Sequence, residues 1–249
     1  MSVSQHDQQQ DGQLRILHWN IHSWRDASGT VNLEVIADLV RETGPHVVSL
    51  LEIDEPWGTS DSLNELAKRT GYSWIFVPSF EFGKQAPAGG FGNALLTKLP
   101  ILAVQQWQLL WPPRLYDGTE PSEPRSVVFA KLSFFSVPLW LGSTHLPRGD
   151  SQGRATALER FMTLTKKLDG PWLGCGDFNT PASSWLDNDS SVVVCPKPAQ
   201  PTYPANPQPV ESIDYCIASR DLLVEGTVLP VGGSDHLPLL IFAQLTGDG

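Results

Sequence analysis

The chain has 249 residues, 41% of them hydrophobic, and its 17 Lys+Arg against 27 Asp+Glu leave a formal net charge of −10. That composition supports one large core and is far from that of a disordered chain. The acidic balance argues against wrapping long stretches of nucleic acid, which takes clustered Lys and Arg, yet it leaves room for a nuclease that meets its substrate locally through a metal.

Residues 1–13 are polar and Gln-rich with no apolar stretch, an expected disordered tail ahead of a single domain over 14–249. Leu14–Asn20 begins with apolar and polar residues in alternation and predicts a strand whose C-terminal end presents Asn20. Leu33, Ile36, Ala37 and Val40 recur at helical spacing, stopped by Gly44-Pro45. Val47–Leu51 reads as a short buried strand ending in Glu52, and a second helix is expected from a cap at Ser60 to Gly71. Strands follow at Tyr72–Pro78, Asn93–Thr97, Ile101–Leu109, Arg125–Leu132 and Leu139–His145, broken by loops over Phe80–Gly92 and Trp111–Pro124. Strands in succession without helices between them imply antiparallel pairing.

A helix from near Ser151 puts Leu158, Phe161, Thr165 and Leu168 on one face. The apolar run Leu173-Gly174-Cys175-Gly176 then opens onto Asp177-Phe178-Asn179, and a proline-laden loop region spans Thr180–Glu211. Ser212–Ala218, Leu222–Leu229 and Leu239–Leu245 close the chain as strands. Cys175, Cys195 and Cys216 are odd in number and lack a CxxC pair, which fits a reducing, cytoplasmic setting without a disulfide or zinc framework. No apolar run reaches the length that spans a bilayer, so a soluble chain is expected.

Several apolar runs end in side chains able to handle metal or phosphate: Asn20, Glu52, His145, Asp177 with Asn179, and Asp214, followed late in the chain by Asp235-His236. Residues i and i+2 of an extended chain share a face, so Asp177 and Asn179 leave their strand side by side. Glu52 and Asp235 suit a hard cation such as Mg²⁺, which prefers oxygen ligands, with Asn20 close by. Asp214 lies in the otherwise apolar run Ile213–Ile217 and needs a partner when buried, which His236 can supply. Taken singly, each has a plainer reading: Glu52 as a solvated strand-end charge, Asn20 as a turn residue, His145 as a satisfied strand histidine. Ser234-Asp235-His236 also invites a serine-hydrolase reading, but no G-x-S-x-G elbow accompanies it.

The ordered set Trp19-Asn20-Ile21, Leu51-Glu52, Gly92-Asn93-Ala94-Leu95-Leu96, Thr144-His145-Leu146, Gly176-Asp177-Phe178-Asn179, Ile213-Asp214-Tyr215 and Ser234-Asp235-His236 resembles the endonuclease/exonuclease/phosphatase (DNase I-like) superfamily. The resemblance runs from about Leu14 to Leu245. It departs from the common pattern at Leu50-Leu51-Glu52, where Leu-Gln-Glu is frequent, and in the helix after His145, which lacks a Gln. It implies an α+β fold, a four-layered sandwich of two mainly antiparallel sheets flanked by helices, and Mg²⁺-dependent phosphate-ester cleavage, with Mn²⁺ as a second ion. By position it implies Glu52 and Asp235 as metal ligands with Asn20 beside them, and Asp177 as the residue that aims or deprotonates water. Asn179 would bind a phosphoryl oxygen, His236 would contact phosphate under the hold of Asp214, and His145 would stabilise charge. Asn93 and Arg125 would reach substrate.

Trp24, Trp57 and Trp185 follow ligand motifs on expected loops, and Trp24 and Trp57 are candidate substrate contacts by stacking, although Trp most often simply packs. Asp26, Asp54, Glu55, Asp117, Glu120, Glu123, Asp187 and Asp189 would form an acidic rim that repels polymeric phosphate within a screening length of about 8–10 Å. A compact phosphodiester or phosphomonoester is therefore favoured, a DNA or RNA nuclease is the alternative, and an inactive phosphate-binding module ranks third. No protein partner is implied.

Overall fold

A computed structural model describes residues 12–56, 62–82, 89–111, 123–149, 151–186 and 191–246. Among the described residues, twelve strands and three α-helices follow one another as β1 (Leu14–Asn20), α1 (Leu33–Thr43), β2 (Val47–Pro56), α2 (Ser62–Thr70), β3 (Ser73–Phe82), β4 (Gly89–Thr97), β5 (Ile101–Leu110), β6 (Arg125–Phe134), β7 (Val137–His145), α3 (Ser151–Thr165), β8 (Trp172–Asp177), β9 (Val192–Cys195), β10 (Asp214–Ser219), β11 (Leu222–Val228) and β12 (Leu239–Leu245). They form two six-stranded sheets, ordered β11-β12-β1-β2-β4-β3 and β5-β6-β7-β8-β10-β9. Pairing is antiparallel except for β1 with β2 and β7 with β8. Those two parallel pairs send four strand C-termini to the same pole.

Period two decides which residues lie between the sheets. Leu14 and Ile16 of β1 face Leu139, Leu141, Leu173 and Cys175 of the other sheet in one apolar cluster. Leu17 and Trp19, one step out of phase, pack instead under α1 and α2 with Ile36, Val40, Leu63 and Leu66. The outer face of the second sheet is covered in the same way: Phe129, Ile217 and Tyr215 meet Ala157, Leu158 and Phe161 of α3. Helix, sheet, sheet and helix make the four layers expected.

The inner faces change character along each strand. Leu14 and Ile16 give way to His18 and Asn20, Leu139 and Leu141 to Ser143 and His145, and Leu173 and Cys175 to Asp177, all nearly without exposure. Burial of so many polar groups is tolerable only where each finds a partner, and they are gathered at one pole where they can bond across the sheets.

Several expectations need adjustment. The Gly-rich stretch Phe80–Gly92 is mostly strand at its two ends: β3 and β4 continue to Phe82 and from Gly89. Gly92 makes this possible, because a Cβ there would lie 2.1 Å from the Val77 carbonyl oxygen. Strand β9 was hidden in the proline-laden region, where Val192–Cys195 pairs with β10. The three cysteines are free and buried. Glu55 is no rim charge: only 4% exposed, it accepts the backbone N–H groups of Ser62 and Leu63 at 3.0 and 3.1 Å and so caps α2. Trp57, Ser60 and the residues 1–11, 112–122 and 187–190 lie outside the described residues. Among the described residues no helix is long and apolar enough to cross a membrane.

Candidate active site

Glu52 is delivered by a break in regular pairing. Along β2 the register with β4 slips between Leu50 and Ile53, so Leu51 and Glu52 oppose Asn93 alone. Such a bulge re-aims a side chain, and Glu52 takes it with a φ of 57°. Asn20, at the end of neighbouring β1, donates its amide hydrogens to Glu52 Oε1 at 3.0 Å and Asp177 Oδ2 at 3.2 Å. Its Oδ1 accepts the His22 backbone N–H at 3.2 Å. The amide nitrogen therefore points at two carboxylates and the oxygen at a peptide. Asn20 thereby bridges the two sheets here, between Glu52 of one and Asp177 of the other.

Asp177 ends β8 with His145 of β7 beside it in parallel register and Asp214 of β10 directly opposite. Its Oδ1 accepts the Asn179 backbone N–H at 2.9 Å, and its Oδ2 lies 3.4 Å from His145 Nε2 and 3.7 Å from His236 Nε2. Burial first, and then the facing Asp214 carboxylate, push Asp177 up to about 7. Asp214 Oδ2 meets His236 Nδ1 at 2.7 Å and accepts the Thr202 hydroxyl at 2.6 Å. Burial pulls the His236 imidazole down, but Asp214 and Asp177 outweigh it and raise it to about 10. His236 is thus charged while the adjacent acid is poised near neutrality.

Arg125 stands 3.2 Å from His145 Nδ1 through one nitrogen and 3.0 Å from Glu123 through another. Two donor groups thus approach opposite ring nitrogens of His145: the Arg125 guanidinium at Nδ1, and the Asn179 amide nitrogen at Nε2, 3.1 Å away. Burial and the Arg125 charge hold the His145 imidazole well below its ordinary range. Glu52 is held at about 2: burial opposes its charge, but His22, His145 and Asn20 outweigh it.

A pocket of about 330 Å³ opens over these groups, lined among others by His22, Glu52, Arg125, Arg148, Asp235 and Tyr203. Glu52 and Asp235 face it with side chains 22% and 27% exposed. Asp235 follows Gly233, whose φ of 136° suits a residue without Cβ, and Ser234, whose hydroxyl donates to the Asn20 carbonyl at 2.7 Å. Asp177, Asp214 and His236 also place one ligand atom each within 4.8 Å of one another. Asp214, however, is 2% exposed and already bonded to Thr202 and His236.

Of the expected site residues, Asn20, Glu52, Arg125, His145, Asp177, Asn179, Asp214, Asp235 and His236 come together at this pole. Trp24 does not: it is 5% exposed and packs with Ile21 and Ile36 beneath α1, because the left-handed run His22-Ser23-Trp24 turns the indole inward. Asn93 is equally withdrawn, 2% exposed and donating to the Ser126 carbonyl at 3.3 Å, so it links the two sheets. Trp185 donates to the Tyr215 hydroxyl at 2.8 Å and stacks near Phe178.

His18, His22, Arg148, Thr202 and Tyr203 escaped the sequence reading. His18 shares the inner face of β1 with Asn20 and lies 4.0 Å from Asp214; counting back by two from Asn20 would have found it. His22 sits beside both Glu52 and Asp235. Thr202 and Tyr203 arrive through pairing with Glu211, a long-range contact without a local signal. Tyr203 stacks on His236 at 4.7 Å and receives the Arg148 guanidinium on its hydroxyl at 2.8 Å.

Two mixed sheets packed face to face, with carboxylates, amides and imidazoles converging at one pole, define a DNase I-like α+β sandwich. The chain belongs to the endonuclease/exonuclease/phosphatase family, whose model matches residues 17–236. No curated protein matches the chain. Among solved structures, an endonuclease/exonuclease/phosphatase from Beutenbergia cavernae is 21% identical with a TM-score of 0.72, the alignment covering 95% of this chain and 72% of that one. A mannosyl-6-phosphatase from Bacteroides thetaiotaomicron is 16% identical with a TM-score of 0.73, covering 92% and 99%. The human Nocturnin catalytic domain is 18% identical with a TM-score of 0.67, covering 94% of each. At such identities the likeness is one of fold.

Proposed function

We propose that the chain is a divalent-cation-dependent phosphoesterase, with Mg²⁺ or Mn²⁺, that hydrolyses a compact phosphodiester or phosphomonoester. The observation that carries this reading is the pairing of opposites within one pocket. Glu52 and Asp235 offer oxygen donors to a cation, Arg125 and Arg148 offer charge to an anion, and Asp177 sits between them at about 7.

The donor set fits a hard divalent ion: both carboxylates open onto the pocket, and Glu52 is kept ionised. Such an ion would polarise the phosphoryl group and neutralise charge that develops there. Asp177 takes a proton from water and aims its oxygen at phosphorus, while the P–O bond breaks on the far side and the departing alkoxide takes a proton from solvent. The His236 imidazolium faces the phosphoryl oxygens, with the His145 ring and the Asn179 amide at the same edge. Phosphoryl transfer responds to positioning and electrostatics of this kind more than to covalent help.

Compactness follows from charge. The guanidiniums that line the pocket are drawn in close to it, whereas Asp26 lies in the loop after β1 and exposed Asp54 lies on β2 just past the bulge, on a chain of net charge −10. A polyanion would meet repulsion just outside the pocket. The test is turnover of p-nitrophenyl phosphate, bis(p-nitrophenyl) phosphate, abasic oligonucleotide and plasmid DNA, each with Mg²⁺, with Mn²⁺ and with EDTA. Cation-dependent release from the small esters is expected. Efficient cleavage of plasmid with little turnover of the small esters would overturn the compact-substrate reading, and full activity in EDTA would overturn the cation.

A further inference from the structure

We propose that His22 is a third ligand of the cation, alongside Glu52 and Asp235, and that its imidazole turns the site toward ions with nitrogen affinity, Mn²⁺ before Mg²⁺. The inference rests on the phosphoesterase reading only in taking this pocket to hold a divalent ion.

His22 Nδ1 lies 3.5 Å from Asp235 Oδ1 and 3.7 Å from Glu52 Oε2. Both separations exceed the usual hydrogen-bond range of about 2.7–3.2 Å. They lie just outside a coordination shell: donors about 2.1 Å from one ion stand about 3.0 Å apart at octahedral angles and about 3.4 Å apart at tetrahedral ones, so the ring and the carboxylates would draw together by a few tenths of an ångström around an ion. The ring lines the pocket with its side chain 47% exposed and its Nδ1 turned toward both carboxylates.

The backbone holds this ring in place independently of any ion. The His22 N–H is bonded to Asn20 Oδ1, and the flanking N–H groups of Ile21 and Ser23 reach the carbonyls of Leu51 and Glu52 at 3.2 and 3.0 Å. His22 is thereby stitched to the same β2 bulge that presents Glu52. Residues 22–24 all have positive φ, from 50° to 62°, a turn that sends Trp24 into the core and leaves His22 outside.

Oxygen-only sets suit Mg²⁺, which dehydrates reluctantly and shuns nitrogen. One imidazole with two carboxylates suits first-row transition ions, whose affinities at mixed sites rise from Mn²⁺ onward. The full chain should be loaded with Mn²⁺ and examined by pulsed electron paramagnetic resonance for nitrogen-14 coupling from a directly bound imidazole. The coupling should be present in the wild type and absent in His22→Gln, with Mn²⁺ affinity lowered about tenfold and Mg²⁺ affinity changed less than threefold. His22→Asp should restore Mn²⁺ binding without nitrogen coupling and improve Mg²⁺ binding, a rescue that a merely structural role would not give. Wild type without nitrogen coupling overturns the proposal, and so does His22→Gln that retains it, since the nitrogen would then be that of His236 or His145. A wild-type chain that takes up no Mn²⁺ overturns the cation-dependent reading as well. Nitrogen coupling together with no turnover of any phosphate ester counts against the phosphoesterase reading alone.

Discussion

Asp177→Asn should inactivate the protein and at the same time make the metal-free chain more stable at alkaline pH. Asp177 is raised from an ordinary 3.8 to about 7 by burial and by the Asp214 carboxylate across the strand pair. A carboxyl whose folded pKa is raised favours folding when protonated. Its stability cost is absent below about 4, grows as pH rises towards 7, and is fully present above that. Three units at about 1.4 kcal/mol each give a cost of roughly 4 kcal/mol at pH 8. Asparagine carries no charge and escapes it. The amide keeps the Asn179 N–H on its oxygen, but its NH₂ then faces the Asn20 donor, a mismatch of roughly 1–2 kcal/mol. The net gain is about 2–3 kcal/mol, or about 5–10 °C in Tm for a chain of this size. At pH 5 most of the gain should vanish, because the wild-type carboxyl is then largely protonated. Turnover should fall by about 10²–10⁴. Differential scanning calorimetry in EDTA at pH 5 and pH 8 decides the matter. An unchanged or lower Tm at pH 8, or an equal rise at both pH values, refutes the reasoning.

Three further predictions concern the same pole. Mg²⁺ or Mn²⁺ should raise the Tm of wild type and of Asp177→Asn alike, whereas Glu52→Gln should abolish the rise; a shift retained by Glu52→Gln would move the ion to the Asp177, Asp214 and His236 group. Asp214→Asn removes the charge that most raises His236, so its imidazole, held at about 10 in the wild type, should become neutral by pH 7.5. Histidine-selective carbon-13 NMR would show this, and an imidazole still charged at that pH would be the contrary result. The sign for stability is the reverse of that at Asp177: a raised histidine stabilises fully below about 6.5 and loses this contribution as pH climbs through 10. Gly92→Ala should cost more than about 2 kcal/mol, since its Cβ would collide with the Val77 carbonyl and disturb the bulge that aims Glu52. Denaturant titration reads the loss directly, and a change below about 0.5 kcal/mol would show that β3 yields.

Strand ends were the legible part of this chain. Asn20, His145, Asp177 and Asp214 each close or open a strand, and Glu52 ends an apolar run at the β2 bulge; polar residues at the ends of buried runs are visible in a one-dimensional pattern. The alternation of each run also carried its facing, which is why the inner-face position of Asn20 should have drawn His18 with it. What stayed hidden depended on turns and distant pairing. Trp24 looks like a loop aromatic in sequence, and only the three consecutive left-handed residues reveal that its ring turns inward. Thr202, Tyr203 and Arg148 reach the site through the Tyr203–Glu211 bridge and a side-chain bond from the β7–α3 connection, contacts that no local spacing encodes. Glu55 read as a surface acid because its partner, the N-terminus of α2, lies seven residues on.

This pole is split between two sheets: Asn20 with Glu52 on one side, His145, Asp177 and Asp214 on the other, joined by the Asn20 amide, the Ser49–Ser143 and Ser79–Ser126 hydroxyl contacts and the Asn93 bond to Ser126. A slide of one sheet over the other by about one ångström would pull Glu52 away from Asp177 while leaving every strand intact. Turnover would then work as a gauge of alignment between the layers, fading on warming before the secondary structure melts.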